Sequence, residues 1–387
     1  MISKTRKLKL KKNIWKFYLY RIFCSMMFVN VVYVLFLKSN GLSMTQIMVL
    51  QSIYTAMMMV MIVPFGIIAD FIGRKKIIIT STVFFAAAFV ILAAGSNFIH
   101  FLISEIAFAI SGASWSSSRT AFFYDNLMEL NQEKRFKKLF GNVLAIDSAF
   151  FAVGALIGGF LAGFGLRIPA IATVIPVSIA LFVSFSFTDT KRYKHADKNY
   201  LNHLKEAAVF TAKHAKVRFF IIYSAVLFAV FYTGYMLYQP YLVDVGIPIT
   251  AFGVIYALMG FAGAFGSKIS HRIEEKIKEK RFLLLVLALA FVSYLGLGKV
   301  GLIIGAIFPI LISFTSGIFG PAVSDYIQKH VKSHNRATVS SLNILAIEGA
   351  TAALAPFIGW MADIYTIQAA FKVAAFIVVV NLFILSL

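Results

Sequence analysis

The sequence predicts an all-α polytopic membrane protein, with twelve transmembrane helices in two pseudo-symmetric six-helix bundles. Hydrophobic residues make up 60% of the 387 residues and charged residues only 14%, whereas a soluble domain carries about 25% charged residues. A helix needs about 20 apolar residues to cross a bilayer, and the chain holds a series of apolar runs of about that length. They are residues 14–37, 44–69, 77–95, 98–122, 139–162, 168–188, 217–240, 250–270, 282–298, 300–324, 337–358 and 367–387.

The basic residues predict how these runs are oriented. Cytoplasmic loops collect Lys and Arg, and most of the 37 Lys and Arg residues lie in segments that fall on one side. The other side holds Lys38, Arg167, Lys299 and Lys372. We therefore expect a multi-pass protein of the cytoplasmic cell membrane with both termini in the cytoplasm. This topology, with attraction to anionic membrane lipid, explains the net charge of +21 better than nucleic-acid binding does.

A polar segment divides the runs six and six. Residues 189–216 would be a cytoplasmic linker between an N-terminal bundle (residues 1–188) and a C-terminal bundle (residues 217–387). In each half, an acid that ends one run is followed at nearly the same spacing by an acid inside the next run. These pairs are Asp125 with Asp147, and Asp325 with Glu348. The faint repeat favours two related bundles about an axis along the membrane normal.

The short loop after the second run carries a motif that consists of Gly66, Asp70, Gly73, Arg74 and Lys75. The motif resembles the signature Gly-x-x-x-Asp-(Arg/Lys)-x-Gly-Arg-(Arg/Lys) of the major facilitator superfamily of secondary transporters. The resemblance implies two bundles that alternate access to a central site. Asp70 and Arg74 would then join Asp125 in a charge cluster that latches the cytoplasmic rim. The alternative is that these charges only set the topology.

Other segments are similar to a bacterial, drug-efflux-like branch of that superfamily. They are Tyr124-Asp125-Asn126-Leu127, Arg336-Ala337-Thr338 and Gly359-Trp360-Met361-Ala362-Asp363. Two positions depart from the pattern: Arg119 stands where the branch has an acid, and Ile62 stands where it often has a Glu. In addition, Ala155 stands where the helix-five motif of antiporters has a Pro. The resemblance therefore implies the fold more firmly than the direction of transport.

Three charges lie inside apolar runs at similar depth. A charge in a span is costly unless it is paired or wetted, so Arg21, Arg119 and Asp147 are candidate functional residues. The resemblance to the superfamily implies that the first, fourth and fifth helices are neighbours, and the three charges are therefore expected to form a cluster. It could be a static ion pair, an anion site, or a gate that breaks as a cavity opens. Gly154 and Gly158 follow Asp147 on one helical face and predict the close approach of another backbone.

Two further carboxyl groups are candidates for proton coupling or substrate binding. Glu105 lies in the outer half of the fourth run and Glu348 near the middle of the eleventh. Burial disfavours the charged form of a carboxyl group, so such a group can bind and release a proton near neutral pH. The alternative is a hydrogen-bonded structural carboxyl group.

Polar and aromatic side chains within the runs are candidate cavity residues, although aromatic residues at helical spacing are more often packing residues. They are Asn30, Gln51, Tyr232, Tyr235, Gln239 and Asn343. The Gln239-Pro240 pair is expected to end the seventh helix.

No catalytic, metal-ligand or phosphate-binding motif is present in the sequence, so we expect no enzyme, no cofactor and no ATP motor. We predict a monomeric secondary transporter, with proton-coupled efflux of a small organic or amphiphilic compound as its function. The first alternative is uptake or facilitated transport of a small anionic metabolite, which Arg21 and Arg119 favour. The second alternative is a non-transporting membrane receptor on a transporter scaffold.

Overall fold

The computed structural model describes residues 3–191, 208–331 and 336–386; within them, the side chains of Asp70, Ala337 and residues 383–386 lie outside the description. The described chain forms helices and no strand. In chain order the α-helices are α1 Lys4–Ser25, α2 Tyr33–Ser39, α3 Met44–Ile72, α4 Arg74–Ala94, α5 Phe98–Glu129, α6 Phe136–Ala162 and α7 Ile168–Phe185. They continue with α8 Ala215–Asp244, α9 Phe252–Ile277, α10 Glu279–Lys299, α11 Ile307–Lys329, α12 Arg336–Ile364 and α13 Ile367–Ser386.

Helices correspond to all of the predicted spans. Ten of the described helices are long and apolar enough to cross a membrane. The first span is instead a pair, Lys4–Val31 and Tyr33–Ser39, bent by 49°. The last span contains a shorter apolar helix over Ile367–Leu382. The predicted all-α polytopic fold is confirmed, and the break in the first span is a feature that hydropathy alone did not reveal.

The predicted end of the seventh helix at Gln239-Pro240 is wrong. Helix α8 runs through Pro240 to Asp244. Proline lacks one backbone donor and crowds the preceding turn, which commonly kinks or ends a helix. In a membrane span, neighbouring helices can satisfy the freed backbone groups, so the helix continues.

The chain packs as two compact units. The first comprises Met1–Val32 and Ala56–Lys198, and the second comprises Tyr33–Thr55 and Asn199–Leu387. The first span and α3 each contribute residues to both units. The functional division at the linker stays a prediction, and residues 192–207 of that linker lie outside the described residues.

An aromatic core holds α1 in the first unit. Phe17 is fully buried, and its ring lies 5.0–6.2 Å from the rings of Trp115, Phe122, Phe123 and Phe187. Packed aromatic rings add about 0.5–1.5 kcal/mol per pair beyond the area that they bury. The core therefore fixes the second half of α1. Arg21 and Ser25, two polar residues of the candidate site, lie on this part of the helix.

A polar network ties the start of α1 to the end of α5. Arg6 donates two hydrogen bonds to the Glu129 carboxylate, at 2.6 and 3.2 Å. Asn13 is buried and donates to Asn126 Oδ1 at 2.9 Å and to the Thr188 carbonyl at 2.8 Å. Because buried amides are costly without partners, this network fixes the position of α1 along its axis.

Tyrosines form much of the core of the second unit. Tyr294 is fully buried and donates a hydrogen bond to the Val230 carbonyl at 2.8 Å. Gly234 leaves room for that ring, because a Cβ atom there would lie 2.5 Å from the Tyr294 hydroxyl. Phe371 stacks on Tyr238 with ring centroids 6.2 Å apart. Tyr238 of α8 is thus a packing residue.

Candidate functional site

Three helices of the first unit bring together a cluster of charges. Arg21 Nε of α1 donates to Asp147 Oδ1 of α6 at 2.7 Å, and the Ser25 hydroxyl donates to the same oxygen at 3.1 Å. Arg119 of α5 lies farther away, with its Nη1 atom 3.9 Å from Asp147 Oδ2. The structure thus assembles the three charges that the sequence predicted to meet. We name Arg21, Arg119 and Asp147 the inner charge cluster.

Aromatic rings border the inner charge cluster. The Arg21 guanidinium lies 4.7 Å from the centre of the Trp115 ring, and that of Arg119 lies 5.6 Å from it. The Phe140 ring is 5.7 Å from the Arg119 guanidinium. A cation over an aromatic face gains about 0.5–2 kcal/mol, with more at desolvated sites. The rings therefore compensate part of the cost of keeping two cations in spans.

The break in the first span follows directly after the Arg21 turn and packs on α6. A Cβ atom on Gly158 would overlap the Phe28 carbonyl, and one on Gly154 would lie 3.2 Å from the Met26 Cα atom. The Val29 amide donates to the Thr173 hydroxyl of α7 at 3.2 Å. The predicted close approach of another backbone to these glycines is confirmed, and its partner is the broken stretch of the first span.

Asn30 lies within that break, in the short 3-10 helix Phe28–Val31. Asn30 is half-buried, and its backbone N–H donates to the Met27 carbonyl at 3.3 Å. A broken helix inside a membrane exposes backbone polar groups that can line a binding cavity. The substrate role of Asn30 stays a prediction.

The loop motif forms a single-residue turn between α3 and α4. Gly73 has φ 98°, which glycine adopts without steric cost, and Arg74 begins α4. Arg74 Nε pairs with Asp125 Oδ2 of α5 at 2.8 Å, as expected for the charge cluster. The side chain of Asp70, the third expected member, lies outside the described residues. Gly66 and Lys75 lie on either side of this turn, in α3 and α4.

Polar contacts in the second unit connect α3 and α8. The Tyr232 hydroxyl donates to Gln51 Oε1 at 2.6 Å, and Gln51 Nε2 donates to the Tyr33 hydroxyl at 3.3 Å. Gln239 Oε1 accepts hydrogen bonds from the amides of Val34 and Leu35 at 2.8 and 3.3 Å. Gln239 therefore caps the first turn of α2, where a helix has unsatisfied amide groups.

The remaining candidates of the second unit lie apart from that network. Tyr235 is half-buried, and its ring packs edge-on against Tyr256 with centroids 5.5 Å apart. Asn343 Oδ1 accepts a hydrogen bond from the Ser224 hydroxyl at 2.8 Å. Glu348 is half-buried near the middle of α12, and no described residue forms a hydrogen bond or an ion pair with its carboxyl group.

Glu105 differs from Glu348 in its surroundings. It is only 4% exposed within α5 of the first unit. A fully buried carboxyl group exchanges protons with bulk water less readily than one that is partly exposed. The structure therefore favours Glu348 over Glu105 as an accessible carboxyl group, while both roles stay predictions. Among the described residues no group of three or more His, Cys, Asp or Glu could hold a metal ion.

Sequence reasoning missed several residues of the site. Trp115 and Ser25 were not proposed, although Trp115 precedes Arg119 by four residues and Ser25 follows Arg21 by four. Side chains at this spacing are neighbours on a helix surface. Phe140 precedes Asp147 by two turns on α6. A search for polar or aromatic neighbours one or two turns from each charge in a span would have found all three.

The chain is similar in sequence to known membrane transporters. A family model described as Major Facilitator Superfamily matches residues 21–356. The MFS-type transporter YxaM of Bacillus subtilis (strain 168) is 24% identical over 367 residues, 92% of this chain and 88% of that protein. The tetracycline resistance protein, class H, of Pasteurella multocida is 24% identical over 330 residues, 81% of this chain and 80% of that protein.

The fold is also similar to a solved structure. The crystal structure of the nucleoside transporter NupG superposes with a TM-score of 0.81, and the match covers 98% of each chain. At 14% sequence identity, this likeness concerns the fold.

Proposed function

Because this chain belongs to the Major Facilitator Superfamily of transporters, we propose that it exports a small organic compound across the cell membrane in exchange for protons. The observation that carries this proposal is the position of Glu348. An ionisable residue in a membrane span is costly and is by default a candidate for a functional role. Glu348 is half-buried in the middle of α12 and has no hydrogen-bond or ion-pair partner among the described residues.

Such a carboxyl group suits proton coupling. In its charged form it needs water or a cation, whereas in its protonated form it can face an apolar surface. Taking up and releasing a proton therefore changes which surroundings it favours. In an alternating-access carrier, the site faces one side of the membrane at a time. If Glu348 takes up a proton on one side and releases it on the other, proton flow is coupled to substrate flow.

Export is favoured by the relative named for tetracycline resistance. A membrane transporter provides resistance when it moves a compound out of the cell. The half-buried tyrosines of α8, Tyr232 and Tyr235, present rings with hydroxyl groups that suit an organic compound.

Alternating access is the proposed mechanism, and the Arg74–Asp125 pair supports it. The pair lies at the ends of α4 and α5, next to the single-residue turn at Gly73. A few charge-assisted hydrogen bonds of this kind can bias a two-state equilibrium. We propose that this pair stabilises one of the two states at the predicted cytoplasmic rim.

The test is a flux measurement with purified protein in liposomes that contain a pH-sensitive dye. Pools of cationic, neutral and anionic organic compounds are added, and proton movement opposite to compound movement is expected for one pool. Glu348→Gln should abolish the proton flux, whereas Glu348→Asp, which keeps a carboxyl group, should retain part of it. An unchanged flux in Glu348→Gln, or no flux with any pool from folded protein, would refute the proposal.

A further inference from the structure

We propose that Arg119 binds an anionic group, a carboxylate in the simplest case, on the compound that this protein transports. The inference rests on the proposed function, because it names the chemical class of the exported compound. It is carried by the geometry of the inner charge cluster and by the two aromatic rings beside it.

Arg119 has unused hydrogen-bond donors. Its shortest approach to a carboxylate oxygen is 3.9 Å, to Asp147, which is too long for a hydrogen bond. No other described residue accepts a hydrogen bond from it. A guanidinium carries five N–H donors in a fixed fork that matches a carboxylate, so Arg119 can bind such a ligand without giving up a hydrogen bond to the protein.

Arg21 and Arg119 differ in how they contact Asp147. Arg21 shares Asp147 Oδ1 with Ser25 at hydrogen-bond distance, so it already has its counter-ion. The static ion pair, one of the alternatives expected for this cluster, therefore consists of Arg21 and Asp147. Arg119 is not needed to complete that pair.

The charges of the inner charge cluster are not balanced. Two guanidinium groups face one carboxylate, which leaves one positive charge in excess within the inner charge cluster. Unpaired charge at this depth is unfavourable, and a bound anion would neutralise it. A cationic ligand would add to the excess, so the cluster selects against cations.

The surroundings of Arg119 bear on the rest of the ligand. The Arg119 side chain is 29% exposed, more than the 13% of Arg21 and the 19% of Asp147. The rings of Trp115 and Phe140 lie within 5.7 Å of the Arg119 guanidinium and are half-buried. A ligand held by its carboxylate at Arg119 would thus place an apolar or aromatic body against these rings.

The experiment measures binding with three probes that share one ring and differ in charge: benzoate, benzamide and benzamidine. The background variant carries Trp15→Phe and Trp360→Phe, so that Trp115, next to Arg119, is the single fluorescent tryptophan. Benzoate should change its emission saturably at concentrations up to about 10 mM, a range set by the weak affinity of small ligands. Benzamide should bind more weakly and benzamidine least.

Variants at Arg119 supply the second arm. Arg119→Ala should raise the half-saturation concentration for benzoate about tenfold, because a charge-assisted hydrogen bond is lost. Arg119→Lys should raise it less, since it keeps the charge without the fork. Arg135→Ala, which removes an exposed arginine of the same unit, is the matched control and should leave benzoate binding unchanged.

The outcomes separate this inference from the proposed function. Binding is measured at one pH without a gradient, so its result does not depend on the outcome of the flux test. Tighter binding of benzamide or benzamidine, no saturable benzoate signal, or equal benzoate binding in Arg119→Ala would each overturn the anion site. If benzoate binds as expected but the flux measurement shows no proton movement, the anion site at Arg119 stands and only the proposed proton coupling fails.

Discussion

At the scale of single residues, the backbone at Lys278 is unusual. Lys278 joins α9 to α10 with φ 64° and ψ 161°, a conformation that is essentially confined to glycine and costs other residues about 1–3 kcal/mol. The corresponding turn of the first half, between α3 and α4, carries Gly73 with φ 98° and ψ 143°. The two halves therefore build the same single-residue turn, one of them with a strained lysine.

Lys278→Gly is expected to stabilise the protein. Glycine removes the steric strain of the folded state, but it also increases the conformational entropy of the unfolded chain, which offsets part of the gain. The net increase in the free energy of unfolding is about 1 kcal/mol. Thermal unfolding of the purified protein in detergent should show a higher midpoint. Lys276→Gly, inside the last turn of α9, is the control and should lower the midpoint. A lower midpoint in Lys278→Gly would show that the strain is absent.

Gly158→Ala is expected to be strongly destabilising. The new Cβ atom would overlap the Phe28 carbonyl, which is backbone and can move only if the broken stretch of the first span moves. Overpacking of this kind costs about 1–3 kcal/mol or more. Gly141→Ala on the same helix has no atom within 4 Å of its Cβ position and should be neutral or stabilising. Equal midpoints of thermal unfolding for the two variants would contradict this packing.

At the scale of elements, the end of α12 holds the start of α3. Asp363 accepts hydrogen bonds from the amides of Met44 and Thr45 at 2.8 and 2.7 Å, and from the Thr45 hydroxyl at 2.6 Å. A carboxylate at a helix N-terminus satisfies orphan amides and the positive end of the helix dipole. Gly359, one turn earlier, lets the Met44 backbone approach. The segment Gly359–Asp363, noted only for its resemblance, thus has a structural role.

Asp363→Ala should lower the stability of the second unit by about 1 kcal/mol, the typical value of an N-terminal cap. Asp363→Asn keeps one acceptor oxygen and should lose about half as much. The measurement is the midpoint of thermal unfolding of each variant. Since Ser43 and Gln46 also cap α3 reciprocally, α3 should stay helical in both variants. An Asp363→Ala midpoint equal to that of the parent protein would show that the contact does not contribute.

At the scale of the whole molecule, the sequence predicted the architecture because apolar length and charge placement are local signals. Each apolar run has a helical counterpart. Arg21, Arg119 and Asp147 meet, as expected from their similar depth and from the helix neighbours that the family resemblance implies. The break in the first span was not predictable, because residues 26–32 lie inside the apolar run 14–37 and contain no Gly or Pro. Its cause is tertiary, since Gly158 and Thr173 on other helices hold that backbone.

The roles of polar residues were harder to predict than their presence. Gln239 was proposed as a cavity residue from its place after Tyr235, yet its amide oxygen caps α2. Hydropathy cannot distinguish a polar side chain that serves the fold from one that serves a substrate, because both are buried and paired. The sequence identifies Glu348 and Arg119 as ionisable groups in spans, and the structure adds that neither has a hydrogen-bond partner among the described residues.

The central claim is that Glu348 couples compound movement to protons, and one measurement with two arms tests it most directly. The compound identified in the flux screen is loaded into liposomes, and its exchange is followed without a pH gradient and then its accumulation with one. Glu348→Gln should retain exchange, because binding and alternation remain, and should lose accumulation driven by the gradient. Accumulation in Glu348→Gln equal to that of the parent protein would contradict the claim.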